Sequence, residues 1–141
     1  AYEIVSRDWS SDVCSSDLED RPLVYMEDVG RHNAIDKIAG WMAMNRVTGG
    51  GKIFYTTGRL TSEMVIKCVQ MGIPILISRS GCTTWGVDLA KRAGLTMIGR
   101  AKGKRFLTLS GRERIVYDAD ARAVAEEAKH LRRKGAEEDA A

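Results

Sequence analysis

The chain has 141 residues, 44% of them hydrophobic, with 22 Lys and Arg against 19 Asp and Glu and a formal charge of +3. A chain of this length can bury roughly two-thirds of its unfolded surface, enough for one core, and no apolar run approaches the roughly 20 residues that a membrane helix needs. The small positive excess gathers in residues 92–114, a local patch that suits a phosphate-bearing ligand better than duplex nucleic acid, which calls for a broader positive face.

Residues 1–20 read as a non-native or disordered leader. Within it, residues 8–18 show neither helical nor strand periodicity and look like a translated sequencing-adapter oligonucleotide, so they are set aside from fold reasoning. A natural Ser/Asp-rich linker is the alternative. The domain proper spans residues 21–118. Leu23-Val24-Tyr25-Met26 reads as a short buried strand, and Ala34, Ile35, Ile38, Trp41 and Met42 recur at helical spacing. The join between them packs Glu27, Asp28, Gly30, Arg31, His32 and Asn33 together. Such joins build ligand sites in α/β proteins, because N–H groups at a helix start lack internal partners. The same residues also read as a helix cap, with Asn33 as N-cap and Asp36 in the first turn.

After the turn Gly49-Gly50-Gly51, Lys52-Ile53-Phe54-Tyr55 is a strand. Thr61 or Ser62 can cap a helix through Met64, Val65, Cys68 and Met71, ended by Gly72. Pro74-Ile75-Leu76-Ile77-Ser78 is an apolar strand whose proline fits only its first position. Trp85, Val87, Leu89 and Ala90 belong to a third helix stopped by Gly94, and residues 95–98 give another strand. Residues 106–109 and 115–117 could form a closing pair. Residues 121–133 read as a tail helix packed through Val124, Ala128 and Leu131, with the last residues disordered. Strands alternating with helices indicate parallel strands and right-handed crossovers.

Candidate chemistry concentrates in a few places. Arg100-Ala101-Lys102-Gly103-Lys104-Arg105 sets four cations and a glycine in a loop after a strand, at the end of the sheet where ligands collect. Lys and Arg form charge-assisted bonds to phosphate, and Gly103 permits close backbone approach. Taken alone, a solvated surface loop is the commoner reading. Arg59 could contact phosphate or guanine, or form a surface ion pair. Glu63 could serve a guanine edge, or simply favour the helix dipole. Ser78, Arg79 and Ser80 end the most apolar strand and are candidates for the same pocket. His32 could orient a ligand or bond a loop carbonyl. Cys14, Cys68 and Cys82 show no Cys-x-x-Cys and no zinc-ligand spacing, and the odd count points to a reducing compartment. Cys68 reads as a small buried hydrophobe, whereas Cys82, near a helix start, could be reactive or structural.

Residues 27–37 resemble the signature of the FdhD family, the accessory sulfurtransferases of formate dehydrogenase. The similarity continues through residues 58–65, residues 72–76, Ser78-Arg79-Ser80 with Thr83-Thr84, and residues 99–105, in order over about four-fifths of the chain. The resemblance implies an α/β fold: a three-layer mixed sheet flanked by helices, cytidine-deaminase-like and truncated at the N-terminus. The His-x-Glu and Pro-Cys-x-x-Cys elements of zinc deaminases are absent. It also implies that Arg100, Ala101, Lys102, Gly103, Lys104 and Arg105, with Arg59 and Ser80, bind the molybdenum cofactor as bis-molybdopterin guanine dinucleotide, for which GDP is an analogue. The family's version of this loop commonly has one fewer cation and an extra glycine or proline. The implied activity is transfer of sulfur from a cysteine desulfurase to that cofactor for formate dehydrogenase, by a cytoplasmic homodimer that engages neither nucleic acid nor membrane. No catalytic residue and no metal ligand is assigned, because the family's sulfur-carrying Cys-x-x-Cys is missing from these residues. A non-catalytic guanine-nucleotide or cofactor-binding module, or an interaction fragment, is the alternative.

Overall fold

The computed structural model describes residues 11–17 and 22–117. In chain order these form β1 (Ser11–Asp17), β2 (Pro22–Asp28), α1 (Arg31–Met44), β3 (Lys52–Thr56), α2 (Ser62–Gln70), β4 (Ile75–Ser78), α3 (Thr84–Ala93), β5 (Thr96–Lys102) and β6 (Arg105–Ser110), followed by a 3-10 turn, Arg112–Arg114. The six strands make one mixed sheet in the order β2-β1-β3-β4-β5-β6. β3, β4 and β5 run parallel, β1 is antiparallel to both its neighbours, and β6 is antiparallel to β5. This is the mixed sheet flanked by helices that the resemblance implied.

Alternation along the strands decides where the core lies. Phe54 pairs with Leu76, and Leu76 with Met97, so all three share one face, and all three are fully buried. Ala34, Ile35, Ile38 and Met42 of α1, Met64, Val65 and Cys68 of α2 and Ala90 of α3 join them in one apolar cluster. Each crossover steps the same way along the sheet, and connections of one hand then put their helices over the same face. The opposite face carries Ile53, Tyr55, Ile75, Ile77 and Ile98, all only partly buried.

Local chemistry sets the helix ends. Thr83 caps α3 by accepting from the Gly86 N–H at 3.1 Å. Gly94 closes α3 at φ 69°, in the left-handed region that glycine enters without strain. Pro74 precedes β4, and its carbonyl accepts from the Thr96 N–H at 3.0 Å.

Three expectations change. Residues 11–17 pair on both sides, with Cys14 opposite both Tyr25 and Tyr55, so the segment read as patternless leader contains a central strand. A ladder is made by backbone N–H and C=O groups, which every residue but proline carries, and side-chain periodicity does not reveal it. Residues 115–117 form no strand. Instead Tyr117 stacks on Phe106, ring centroids 6.1 Å apart. The helix after β2 starts at Arg31 with Gly30 as N-cap, placing Asn33 inside the first turn. The tail helix expected at residues 121–133 lies outside the described residues, as do residues 1–10.

Candidate functional site

The carboxyl ends of β3, β4 and β5 are joined into one hydrogen-bonded unit. Thr56 and Ser78 sit opposite each other on the core face, both fully buried, and their hydroxyls clamp a single residue. The Gly58 N–H donates to Thr56 Oγ1 at 3.0 Å, and Ser78 Oγ donates to the Gly58 carbonyl at 2.5 Å. Ser80 Oγ donates to the Thr57 carbonyl at 2.7 Å. The Leu60 N–H reaches the Gly81 carbonyl, and the Thr83 N–H returns to the Leu60 carbonyl, both at 3.0 Å. The Arg100 N–H then donates to the Ser80 carbonyl at 3.0 Å, tying β5 to the loop after β4. Arg59 and Arg79 project from these stitched loops, Arg59 exposed and Arg79 half-buried.

The basic segment is the tip of a β-hairpin rather than a loop. β5 runs to Lys102 and β6 begins at Arg105, with these two residues paired. Gly103 at φ 60° makes the tight turn, which suits a two-residue hairpin connection. Register shifts between Gly99 and Lys102, where Arg100 adopts φ 51°. That bulge re-aims the strand at its exit, as bulges commonly do. Arg100, Lys102 and Arg105 are exposed and form no ion pair among the described residues. Ser80 therefore braces the base of the hairpin, Arg59 stands across the stitched loops from it, and Lys102, Gly103 and Lys104 project beyond. Arg114 serves structure instead: its Nη1 donates to the Gly94 carbonyl at 2.5 Å and to Thr96 Oγ1 at 3.1 Å.

The join between β2 and α1 forms the other wall. Asp28 Oδ1 accepts from the Gly30 N–H at 3.0 Å, and Oδ2 lies 2.8 Å from Lys37 Nζ. The Gly30 bond, then Lys37, hold this carboxyl down to about 2. Asp28 thus closes an Asx-type turn just ahead of α1, whose N-cap, Gly30, carries no side-chain cap. Asp36 instead reaches Lys67 of α2 at 2.6 Å. His32 Nε2 lies 2.7 Å from Glu63 Oε2, an ion-pair distance when the ring is protonated, but makes no aligned hydrogen bond. Beside it, Arg31 Nε and Thr61 Oγ1 are buried with no hydrogen-bond partner among the described residues. Sequence reasoning gave Arg31 no role and Thr61 only that of a cap. The signal for Arg31 was its place at the first helical position after a ligand-type join.

The FdhD/NarQ family model matches residues 12–116. The chain belongs to that family. Among curated relatives, the sulfur carrier protein FdhD of Nocardia farcinica is 41% identical over 99 residues, covering 70% of this chain and 36% of that one. The sulfur carrier protein FdhD of Methanothermobacter thermautotrophicus is 44% identical over 90 residues, covering 64% and 36%. The crystal structure of a candidate formate dehydrogenase accessory protein from Desulfotalea psychrophila matches with TM-score 0.71 and 41% identity, covering 77% of this chain and 46% of that one. The match thus spans little more than a third of each of these curated relatives.

Within this FdhD domain the remaining features fall away from the stitched loops or serve structure. Cys68 is buried, its Sγ 3.8 Å from the Ile73 carbonyl, and burial pushes its thiol up to about 12. Cys82 sits half-buried in a single bridge to Leu60, one residue before the α3 N-cap. Among the described residues no three His, Cys, Asp or Glu side chains gather as metal ligands, and no helix is long and apolar enough to cross a membrane. A cavity of about 370 Å³ lies between α1 and α2, lined by residues that include Met42, Val47, Lys67 and Met71. It sits toward the helix C-termini, away from the strand ends, and its polar rim is the Asp36–Lys67 pair.

Proposed function

We propose that this chain is the cofactor-holding part of a sulfur carrier that serves formate dehydrogenase, and that its substrate is the molybdenum cofactor in its guanylated form. The observation that carries the reading is the Ser80–Arg100 backbone bond. It anchors a cation-rich hairpin beside Arg59 at the carboxyl ends of three parallel strands, and Arg59, Arg100, Lys102 and Arg105 form no ion pair among the described residues. Unpaired cations at such a crevice suit the pyrophosphate of a dinucleotide. Ala101 lies in the bulge, and Gly103 keeps the tip free of a side chain. Ser80 supports the site through its backbone, because its hydroxyl proton is committed to Thr57.

Sulfur relay needs an exposed thiolate able to face donor and acceptor in turn. Cys68 meets neither condition, and these 141 residues contain no Cys-x-x-Cys. By the family resemblance, the thiol step belongs to a Cys-x-x-Cys that these residues do not contain. On its own the chain acts as a non-catalytic binding module. A cysteine desulfurase as donor, a homodimeric assembly and a cytoplasmic setting complete the proposal.

Titration with GDP, followed by calorimetry, tests the site. Lys102→Ala with Arg105→Ala removes two charge-assisted phosphate contacts and should weaken GDP by tenfold or more. An unchanged titration would remove the hairpin from the site.

A further inference from the structure

We infer that the outer face of α2 and α3 is an isologous interface, covered in solution by the same face of a second copy of this chain. The inference rests on the homodimeric reading above and names the surface that forms the dimer. Helical spacing builds this face. Ser62, Ile66 and Val69 recur at i, i+4 and i+7 along α2, and Trp85, Leu89 and Arg92 do so along α3. On α2, Lys67, Gln70 and Met71 line the groove shared with α1, so the stripe of Ile66 and Val69 turns the other way, toward α3. On α3, Gly86 and Ala90 are buried against the core. With both helices running the same way, the turn of the helix then puts Trp85, Leu89 and Arg92 on the flank toward α2. The two elements are close, because a Cβ on Gly86 would come within 3.0 Å of the Leu60 carbonyl oxygen, just ahead of α2. The two stripes therefore border one shallow groove.

This groove is apolar where water reaches it. Trp85 is 71% exposed, Ile66 45% and Val69 44%, and Leu89 is half-buried. Single apolar residues on a surface are ordinary, but an exposed tryptophan beside two exposed aliphatics on adjoining helices has the composition of an interface centre.

The charges around the groove decide its occupant. Acids stand in the N-terminal halves of the helices, Glu63 on α2 and Asp88 on α3, whereas Lys91 and Arg92 occupy the last turn of α3. All four are exposed, and Asp88, Lys91 and Arg92 form no ion pair among the described residues. A two-fold axis across the groove reverses the helix direction, so the basic end of one copy meets the acidic end of the other. Arg92 then faces Glu63 of the second copy and also the ring of its Trp85, a cation–π contact, and symmetry repeats both contacts. A parallel arrangement would instead set like charges together. Helices of 9 and 10 residues are about 14–15 Å long and pack about 8–10 Å apart, which puts the face at the small end of stable interfaces. It suits a dimer that dissociates on dilution.

Sedimentation equilibrium of the full chain from about 1 to about 500 µM tests the face, and wild type should pass from monomer to dimer within that range. Trp85→Ser, Arg92→Glu and Glu63→Arg should each weaken the dimer by about tenfold or more. Their thermal midpoints should stay near wild type, since all three side chains are exposed. An equimolar mixture of Glu63→Arg and Arg92→Glu chains should recover the dimer, because each then supplies the charge the other needs at both symmetric contacts. Mixing cannot repair a variant that has merely lost its fold. A wild-type chain that stays monomeric throughout would overturn both this face and the homodimeric reading. A dimer that all three variants leave intact would overturn the face while leaving the homodimer standing. Weakened variants that do not recover on mixing would overturn the two-fold pairing. Assembly beyond the dimer would overturn it as well, because an isologous contact closes at two copies.

Discussion

Asp28 shows how one carboxylate organises the start of a site. It accepts from the Gly30 N–H, pairs with Lys37 in the second turn of α1, and is approached by the Asn33 amide at 3.5 Å. Lys37 Nζ also donates to the Glu27 carbonyl at 2.8 Å, so the strand end and the first two turns of α1 are tied together. The carboxyl is held at about 2 against 3.8 for the free group, first by the Gly30 bond and then by Lys37. A depressed carboxylate stabilises the fold fully above the unfolded value, and the contribution is lost as pH falls from 3.8 through about 2. Urea midpoints measured at roughly pH 5 and roughly pH 2 should therefore fall more steeply for wild type than for Asp28→Asn. Parallel slopes would show that the charge does nothing for stability.

At the scale of elements, Gly58 is where the loop after β3 meets the start of α1. Its N–H and C=O are clamped by Thr56 and Ser78, and a Cβ there would press on Cβ of Arg31, which cannot swing aside as a chain end would. Gly58→Ala should push the two elements apart and destabilise by about 1–3 kcal/mol. Nucleotide affinity should fall with stability, whereas pyrophosphate affinity at the hairpin should survive. Equal loss of both ligands would mean that the loops respond as a whole. The elements with strong local signals were legible in the sequence: α3 from its apolar residues up to Gly94, α2 after Thr61, and β4 as a continuous apolar run after Pro74. What was not legible depends on partners distant in sequence. The cations 100–105 read as loop because a hairpin tip has no apolar alternation, and only pairing with residues 105–110 extends the strand to Lys102. The loss of Asn33 as N-cap has a similar origin, since the Asx-type turn between Asp28 and Gly30 starts the helix at Arg31 and leaves Asn33 inside its first turn. Of the site, the basic hairpin and Arg59 were visible as charge, but the buried, unpartnered atoms of Arg31 and Thr61 were not, because burial is a property of packing.

For the whole molecule, β1 has an influence out of proportion to its sequence. Among the described residues it is the sole strand joined to β2, and it also pairs with β3, so the β2 edge is attached to the sheet through β1 alone. Because the attachment is made by backbone, its N–H groups should not be expendable. Cys14→Pro, which deletes a donor in a central strand, should lower the thermal midpoint by well over about 4 °C. An unchanged midpoint would place residues 11–17 outside the folded sheet. At the other end of the strands, the bonds that run Thr57–Ser80–Arg100 and Leu60–Gly81–Thr83 leave the three connections without independent conformations. Specificity in many α/β folds is retuned by exchanging one surface loop at a time. Here a graft at any one connection would unfasten the other two, so new ligand preference has to come from side chains pointing out of this frame, with its backbone left as it is.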